Sequence, residues 1–481
     1  MGHGQLVGGS EFWEHLSEGS PAVRGAAGEE SGVEAIVGVA DGGRPCYVFF
    51  VKNKTNKEPA ITIKSLLSKL HPIKSFVYQK VTLVHRKLRP DVIEVLIVPR
   101  KNSKPVCSSC GCKGSIYDHM HGGPRLFDFV PLWNLAVRFR YHMRRVDCKA
   151  CGVTVELVPW AEGKHHTTNA FRLFLSQWAK HLSWKQTAKQ FHTSWDTVFR
   201  SVQWVVDYGL YHRSLDGITA IGIDEVAYTL GHHYMTLIYQ INDGSRRLLG
   251  IVKDRKQSSL TEWLETLGEA RCAAIEVVCS DMWPAYLKVV RLMLPQALNI
   301  LDRFHIVKKL NEAVDETRRQ EVKRLHDEGY DPVLSKSRYC FLKRRENLTM
   351  GQRTRLKDLL TYELKSVRAY FLKEAFDVFW KYNSPWHARE YLRNWCARTM
   401  RSRIEPLKKF VKTMRKHEEL LMNYFKAKKL YSSGMVEGFN LKVGLTIRKA
   451  FGFRNFEHLQ TALYHQLGAL PEPETTHRFC G

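Results

Sequence analysis

The sequence predicts a multi-domain α/β protein, and three features carry that prediction. Residues 219–225, Thr-Ala-Ile-Gly-Ile-Asp-Glu, and residues 274–280 are short apolar runs of strand length, closed by Asp224 and Asp281. Such runs, bounded by turn signals, suit strands covered on both faces. A long stretch from about Ile306 to Tyr431 is charged, studded with aromatics and helical in period. Ahead of both, two CysXXCys pairs and a helical block mark smaller modules.

The bulk numbers narrow the partners. Of 481 residues, 74 are Lys or Arg and 48 Asp or Glu, a net charge of +26. That excess favours a polyanion, either nucleic acid or an anionic membrane surface. An apolar content of 44% fills real cores, and no run approaches the roughly 20 residues of a membrane span. The N-terminus lacks the charged and apolar regions of a secretion signal. The reading is therefore a cytoplasmic protein, nucleoid-associated in a bacterium. Nucleic acid is the expected partner, with no membrane and no small-molecule substrate.

In chain order, residues 1–45 are rich in Gly, Ser, Ala and Glu and read as a flexible leader. Residues 46–100 form a basic segment, with strands expected at residues 81–85 and 92–98 and a phosphate-contacting surface as the only legible role. Residues 101–162 hold Cys107-Ser-Ser-Cys110 and Cys148-Lys-Ala-Cys151. Eleven cysteines, an odd number, in a non-secreted chain favour metal over disulfides. Four thiolates suit tetrahedral zinc, and a closed shell makes that zinc structural. Cys112 and His119 remain as alternative ligands. Between the knuckles, Val137, Phe139 and Tyr141 alternate with Arg138 and Arg140, as in a β-hairpin held at its base by the metal.

Residues 163–212 read as three helices. Phe171, Phe174, Leu175 and Trp178 recur at helical spacing, and Ser183-Trp-Lys-Gln186 has the form of a capping box. After a short His-Thr-Ser connection, a third helix is expected from about Trp195 to Val206. This is the form of a helix-turn-helix, which would turn Asp196, Thr197, Arg200 and Gln203 to the major groove. A plain three-helix bundle is the alternative.

Residues 213–305 give strands ending at Asp224, at 234–241 and at 248–252, then a helix at 259–267. A strand ending at Asp281, a helix from Pro284 to about Leu294 and a strand at 298–301 before Asp302 follow. This order resembles that of an RNase H-like mixed sheet, and the resemblance implies that residues 306–430 are a helical insertion within it. There, Leu364, Val367, Phe371 and Ala375 mark one expected helix face. Trp380, Trp386 and Trp395 read as core or as stacking platforms for an unpaired base. Residues 431–481 begin with Ser432-Ser-Gly-Met-Val-Glu437-Gly-Phe-Asn440 and place Glu437 near the start of a helix. Lys442, Arg448 and Lys449 lie on its later turns, and Asn455 can cap a final helix.

Zinc ribbon, helix-turn-helix, Ile223-Asp224-Glu225, Ser280-Asp281-Met282-Trp283, Asp302-Arg-Phe-His305 and the Glu437 stretch, in that order, resemble the ISL-three family of bacterial insertion-sequence transposases. The resemblance runs from Cys107 to the C-terminus and leaves out the first 45 residues. It implies an acidic triad at Asp224, Asp281 and Glu437, with Asp302 and His305 supporting that triad or positioning DNA. DNA contacts are expected from Asp196, Thr197, Arg200, Gln203, Arg448 and Lys449. It implies a metal-dependent DDE enzyme that binds terminal inverted repeats, cuts the ends and joins the 3′-hydroxyls to target DNA. At least a homodimer on DNA is expected, because two ends are paired.

Elementary chemistry agrees. Magnesium, or manganese, prefers hard oxygen ligands, and a pair of ions can activate an attacking oxygen and stabilise the leaving one. Glu225 competes with Asp224 for the first position, but strand alternation turns it to the opposite face. Two other classes remain open: a non-catalytic DNA-binding regulator on the same scaffold, and a structure-specific DNA nuclease.

Overall fold

The computed structural model describes residues 61–87, 90–229, 233–431 and 434–474, together with the backbone of two strands nearer the N-terminus. The chain divides into two compact units, Met1–Leu66 and Leu67–Gly481. In the first unit, β1 (Val33–Val39) pairs antiparallel with β2 (Pro45–Val51). The expected leader therefore contains a strand. Val33, Ile36, Val37 and Val39 supply β-branched content that the surrounding Gly and Glu conceal. Residues 1–32 lie outside the described residues. Helix α1 runs from Ile63 to Leu70.

The second unit opens with β3 (Phe76–Val84), β4 (Val92–Pro99), β5 (Ser115–His119), β6 (Arg125–Leu132), β7 (Leu135–Tyr141), β8 (Arg144–Cys148) and β9 (Gly152–Val155). They form two sheets, ordered β3-β4-β7-β6 and β5-β8-β9. The expected hairpin forms, as β6 and β7 paired antiparallel and joined at Leu132–Leu135, but the cysteine turns do not stand at its base. The alternating segment at Val137–Tyr141 belongs to the four-stranded sheet, and the cysteine turns sit on the other. The reason is apolar area: Phe127, Phe129, Val137, Phe139 and Tyr141 are all buried, a face too large for a small metal-bound ribbon to cover. Trp160 closes it, with ring centroids 4.9 Å from Phe76 and 5.3 Å from Tyr141. A buried Arg144–Glu156 ion pair, with the Tyr141 hydroxyl donating to Glu156 at 2.6 Å, joins the two sheets.

Helices α2 (Asn169–His181), α3 (Trp184–Gln190) and α4 (Trp195–His212) follow. The capping box of Ser183 and Gln186 forms as its spacing predicts. The third helix runs past Val206, because Val202, Val205, Val206 and Gly209 continue its buried stripe.

A five-stranded sheet comes next, built from β10 (Ala220–Thr229), β11 (His233–Asn242) and β12 (Ser245–Val252), helices α5 (Gln257–Leu267) and α6 (Glu269–Ala273), β13 (Val277–Ser280), α7 (Pro284–Met293) and β14 (Leu298–Leu301). Its order is β12-β11-β10-β13-β14. Strands β10, β13 and β14 are mutually parallel, and β11 is antiparallel to both its neighbours. Strands β10, β12, β13 and β14 therefore all point their carboxyl ends at one edge. Ile221, Ile223, Ile238 and Leu249 on one face pack with Leu260 and Leu264 of α5 and Val289 and Val290 of α7.

The segment expected as a helical insertion comprises α8 (Arg303–Asp327), α9 (Arg338–Leu342), α10 (Met350–Leu359), α11 (Lys365–Asp377), α12 (Pro385–Met400), α13 (Glu405–Lys416) and α14 (Glu418–Lys426). The buried face of α11 uses Val367, Tyr370 and Phe376, while Phe371 is half exposed. Of the expected face, Leu364 and Val367 are buried and Ala375 is partly buried, while Phe371 turns outward. Trp380 and Trp395 are core residues and Trp386 is exposed. Last come α15 (Gly434–Lys449) and α16 (Phe456–Leu467), the latter capped by Asn455. Among the described residues, no helix is long and apolar enough to cross a membrane.

Candidate active site and metal centre

Asp224 stands within β10, not at its end. Parallel pairing with β13 stops at Ile223–Ser280, while β10 continues against β11 for several residues. Asp281 follows directly after β13, and Asp302 directly after β14. Register thus brings the three aspartates to the carboxyl edge of three adjacent parallel strands, the place where open α/β sheets hold their functional groups.

Alternation turns Asp224 to the face opposite the α5–α7 core, where α15 lies. Gly222, two residues earlier on that face, lets the helix approach: a Cβ there would meet Val436 Cγ2 at 2.6 Å. Phe439 stacks on Tyr239 with centroids 4.6 Å apart. Asn440 completes the contact. Its side-chain amide donates to Asp224 Oδ2, and its Oδ1 accepts from the Tyr239 hydroxyl at 3.0 Å. Asp224 Oδ1 accepts the Glu225 amide at 2.7 Å. Glu225 faces the other way, as alternation predicts, and meets Arg255 at 3.5 Å.

Asp224 is buried, and burial pushes its acid up to about 6, with Asp302 adding repulsion against the attraction of His305 and the hydrogen bonds it accepts. Burial raises Asp281 too, and Asp302 again repels it while His305 and Lys309 attract it. Asp281 Oδ1 accepts the Trp283 amide at 2.8 Å. Asp302 caps α8 by accepting from Phe304 N at 2.6 Å. His305 Nδ1 lies 3.9 Å from Asp302 Oδ2, buried and without a hydrogen-bond partner.

Glu437 sits in the first turn of α15 and is exposed. It lies one turn before Asn440, and residues three apart on a helix are neighbours, about 5–6 Å between Cβ atoms. Asp302 and His305 act on both Asp224 and Asp281, and Glu437 lies on the adjoining helix; among the described residues these acids do not form a group close enough to hold one metal ion. Asn440 was not singled out as a site residue from the sequence; its spacing from Glu437 was the available signal.

The cysteines form a tighter group. Cys107, Cys110, Cys148 and Cys151 have all four sulfurs within 4.8 Å of one another, and among the described residues they are the group placed to hold a metal ion. Cys112 and His119 stand outside it. Cys110 Sγ and Cys148 Sγ are 3.5 Å apart, near the edge of about 3.8 Å that follows for a tetrahedron with 2.3 Å Zn–S bonds. Gly111 and Gly152, at φ +73° and +69°, follow the two pairs and allow the tight turns. The Thr154 hydroxyl, 3.1 Å from Cys107 Sγ, leads the hydrogen bonds that hold that thiol down at about 6. Hydrogen bonding to Cys110 pushes Cys151 up to about 12. The four thiols oppose joint ionisation, and a divalent cation removes that opposition.

Among the residues expected to meet DNA, Arg200 pairs with Asp196 at 3.0 Å on the open face of α4, and Gln203 is exposed beside them. Thr197 shares a 2.8 Å hydrogen bond with Ser194, the cap of the same helix. Arg448 is exposed. Lys449 is not: its ammonium donates to the carbonyls of Ala179 and Lys180, at 3.2 and 2.9 Å, at the C-terminal end of α2. That engagement makes it a tie between α15 and the three-helix block, favoured by the helix dipole.

Comparison with known proteins follows the same lines. A family model described as a transposase of the ISL3 group matches residues 221–463, half of the chain, with Asp224, Asp281, Asp302 and Glu437 inside it. The chain is 25% identical to the transposase for insertion sequence element IS1001 of Bordetella parapertussis, over 73% of this chain and 86% of that protein. It is 27% identical to the transposase for IS1557 of Mycobacterium tuberculosis, over 74% and 84% respectively. With its aspartates at one sheet edge and the helix that carries Glu437 laid beside them, the chain belongs to the ISL3 family of insertion-sequence transposases.

Proposed function

We propose that this transposase is a DDE enzyme that binds the terminal inverted repeats of its element, cleaves the ends and joins the 3′-hydroxyls to target DNA. Asp224, Asp281 and Glu437 are its catalytic acids, with Asp302 and His305 in support. The observation that carries the reading is the Asn440–Asp224 hydrogen bond, because it draws the helix bearing Glu437 to the edge where both aspartates stand. The sheet order, with one antiparallel strand between parallel and edge partners, supports an RNase H-like core over residues 213–305 and 431–481, interrupted by residues 306–430.

The donor types suit magnesium or manganese, although among the described residues only the four cysteines stand close enough together to hold an ion. Buried carboxylates that repel one another, beside an orphaned His305 nitrogen, have hard oxygen donors and an unmet need for positive charge. When bound, such ions polarise the phosphodiester and lower the pKa of an attacking water. Asn440 fixes the orientation of Asp224, and the Trp283 amide that of Asp281. His305 offsets part of the negative charge. A regulator without catalysis has no use for two buried aspartates at one sheet edge, each repelled by Asp302.

The cysteine group would hold a structural zinc within residues 101–162. The helix-turn-helix of residues 163–212 would present Arg200, Gln203, Asp196 and Thr197 to the major groove, with Arg448 on backbone phosphate and Lys449 tying the modules together. DNA affinity would fall steeply with salt, and the complex on paired ends would be at least a dimer. Incubating the protein with magnesium, a labelled transposon end and a plasmid tests the reading. Joined product is expected; intact ends under conditions of stable binding would refute it.

A further inference from the structure

Arg255 follows β12 and so emerges at the same sheet edge as Asp224, Asp281 and Asp302. Its guanidinium carbon lies 4.4 Å from the ring centroid of Tyr234 and 4.8 Å from that of Trp283. One nitrogen, Nη1, meets Glu225 at 3.5 Å, and among the described residues its other donors meet no protein acceptor. The side chain remains partly exposed, at 39%.

Two rings and a carboxylate hold this charge, and two of these holders have a tie to the acids. Trp283 donates its amide to Asp281. Glu225 is the residue after Asp224 on the same strand. Aromatic stacking fixes the plane of a guanidinium while leaving its edge donors directed outward. A fixed edge of N–H groups matches two oxygens of a phosphate, whereas a lysine there would offer a point charge without the planar fit. The long contact to Glu225 neutralises the guanidinium without occupying that edge.

We propose that Arg255, held by Tyr234, Trp283 and Glu225, is a positioning residue that grips one backbone phosphate of the DNA beside the bond being cut. The inference rests on the catalytic reading of the same edge, and it assigns to that edge a defined contact outside the acids.

The test pairs protein and DNA changes. Full-length wild type, Arg255→Ala and Arg255→Lys are titrated with a duplex carrying the terminal repeat that borders the coding sequence. In this duplex each phosphate near the end is replaced in turn by a neutral methylphosphonate. Wild type should lose about 10-fold or more in affinity at one particular phosphate, and Arg255→Ala should be indifferent to that replacement alone. The salt slope of log affinity should fall by about one in Arg255→Ala. Arg255→Lys should keep the slope yet lose the end-cleavage rate, a split that a merely structural role does not produce. Thermal melting of each variant separates misfolding from lost contact; if Arg255→Ala melts early, Arg255→Lys carries the test. Equal sensitivity of wild type and variants at every phosphate overturns the proposal. Because binding is read separately from cleavage, a wild type that binds but never cuts would count against the catalytic reading and leave the Arg255 contact to be judged on its own data.

Discussion

The side-chain amide of Asn440 donates to Asp224 across 216 residues of chain. Removing it in Asn440→Ala leaves a buried carboxylate oxygen without its donor, a cost of about 1–3 kcal/mol. The fold should survive, because Val436 and Phe439 still hold α15 to the sheet. Cleavage should drop roughly 10- to 100-fold. The amide also holds the Asp224 acid down, so its loss raises that acid further and should move the acid limb of the rate profile to higher pH. Single-turnover cleavage between pH 5 and 9 reads both effects; an unchanged rate and profile would deny Asn440 its role.

Gly222 makes the approach of α15 possible. In Gly222→Ala the new Cβ meets Val436 Cγ2, and a β-branched neighbour cannot swing away. Destabilisation of about 1–3 kcal/mol is expected, with loss of cleavage as the helix shifts. Adding Val436→Ala should restore part of both. Denaturant midpoints for the two singles and the double give the answer, and additive losses would refute the contact.

The cysteine group predicts roughly one tightly held zinc per chain. Cys110→Ser should lose it and weaken DNA binding, while Cys112→Ser should keep it, since Cys112 stands outside the group. Metal analysis of purified variants decides, and zinc lost equally from both would reopen the ligand set.

Much of this arrangement was legible in the sequence, for identifiable reasons. Strand β14 and the Asn455 cap of α16 were readable because a short apolar run and a capping residue are local signals. The extension of β10 past Asp224 was not, since an aspartate reads as a strand terminator and only pairing with β11 carries the strand on. The four-stranded sheet escaped because β4 and β7 pair in parallel across the first cysteine turn, which no local pattern encodes. Asn440 escaped likewise: its partner is fixed by how a helix packs on a sheet. Lys449 read as a DNA-binding charge, and only packing shows its donors spent on α2 carbonyls.

His465 of α16 is buried, its Nε2 has no hydrogen-bond partner, and burial with Lys180 and Lys449 nearby pulls it down to about 3. An unfolded histidine titrates near 6.5, so the unfolded chain binds the proton first as pH falls. The stability this neutral ring retains is fully present above about pH 6.5 and is lost progressively towards pH 3. Urea unfolding at pH 7, 6 and 5 should show that decline, shallower by about 1.4 kcal/mol per pH unit in His465→Leu. Equal slopes would mean the ring is not held neutral.

The central claim is that Glu437, exposed on the first turn of α15, acts with Asp224 and Asp281 on one phosphodiester. Single-turnover end cleavage by Glu437→Gln in magnesium tests it most directly, because the substitution keeps shape and removes only the charge. The account predicts a rate lower by about a thousandfold or more with end binding unchanged. Cleavage by Glu437→Gln at the wild-type rate would contradict it.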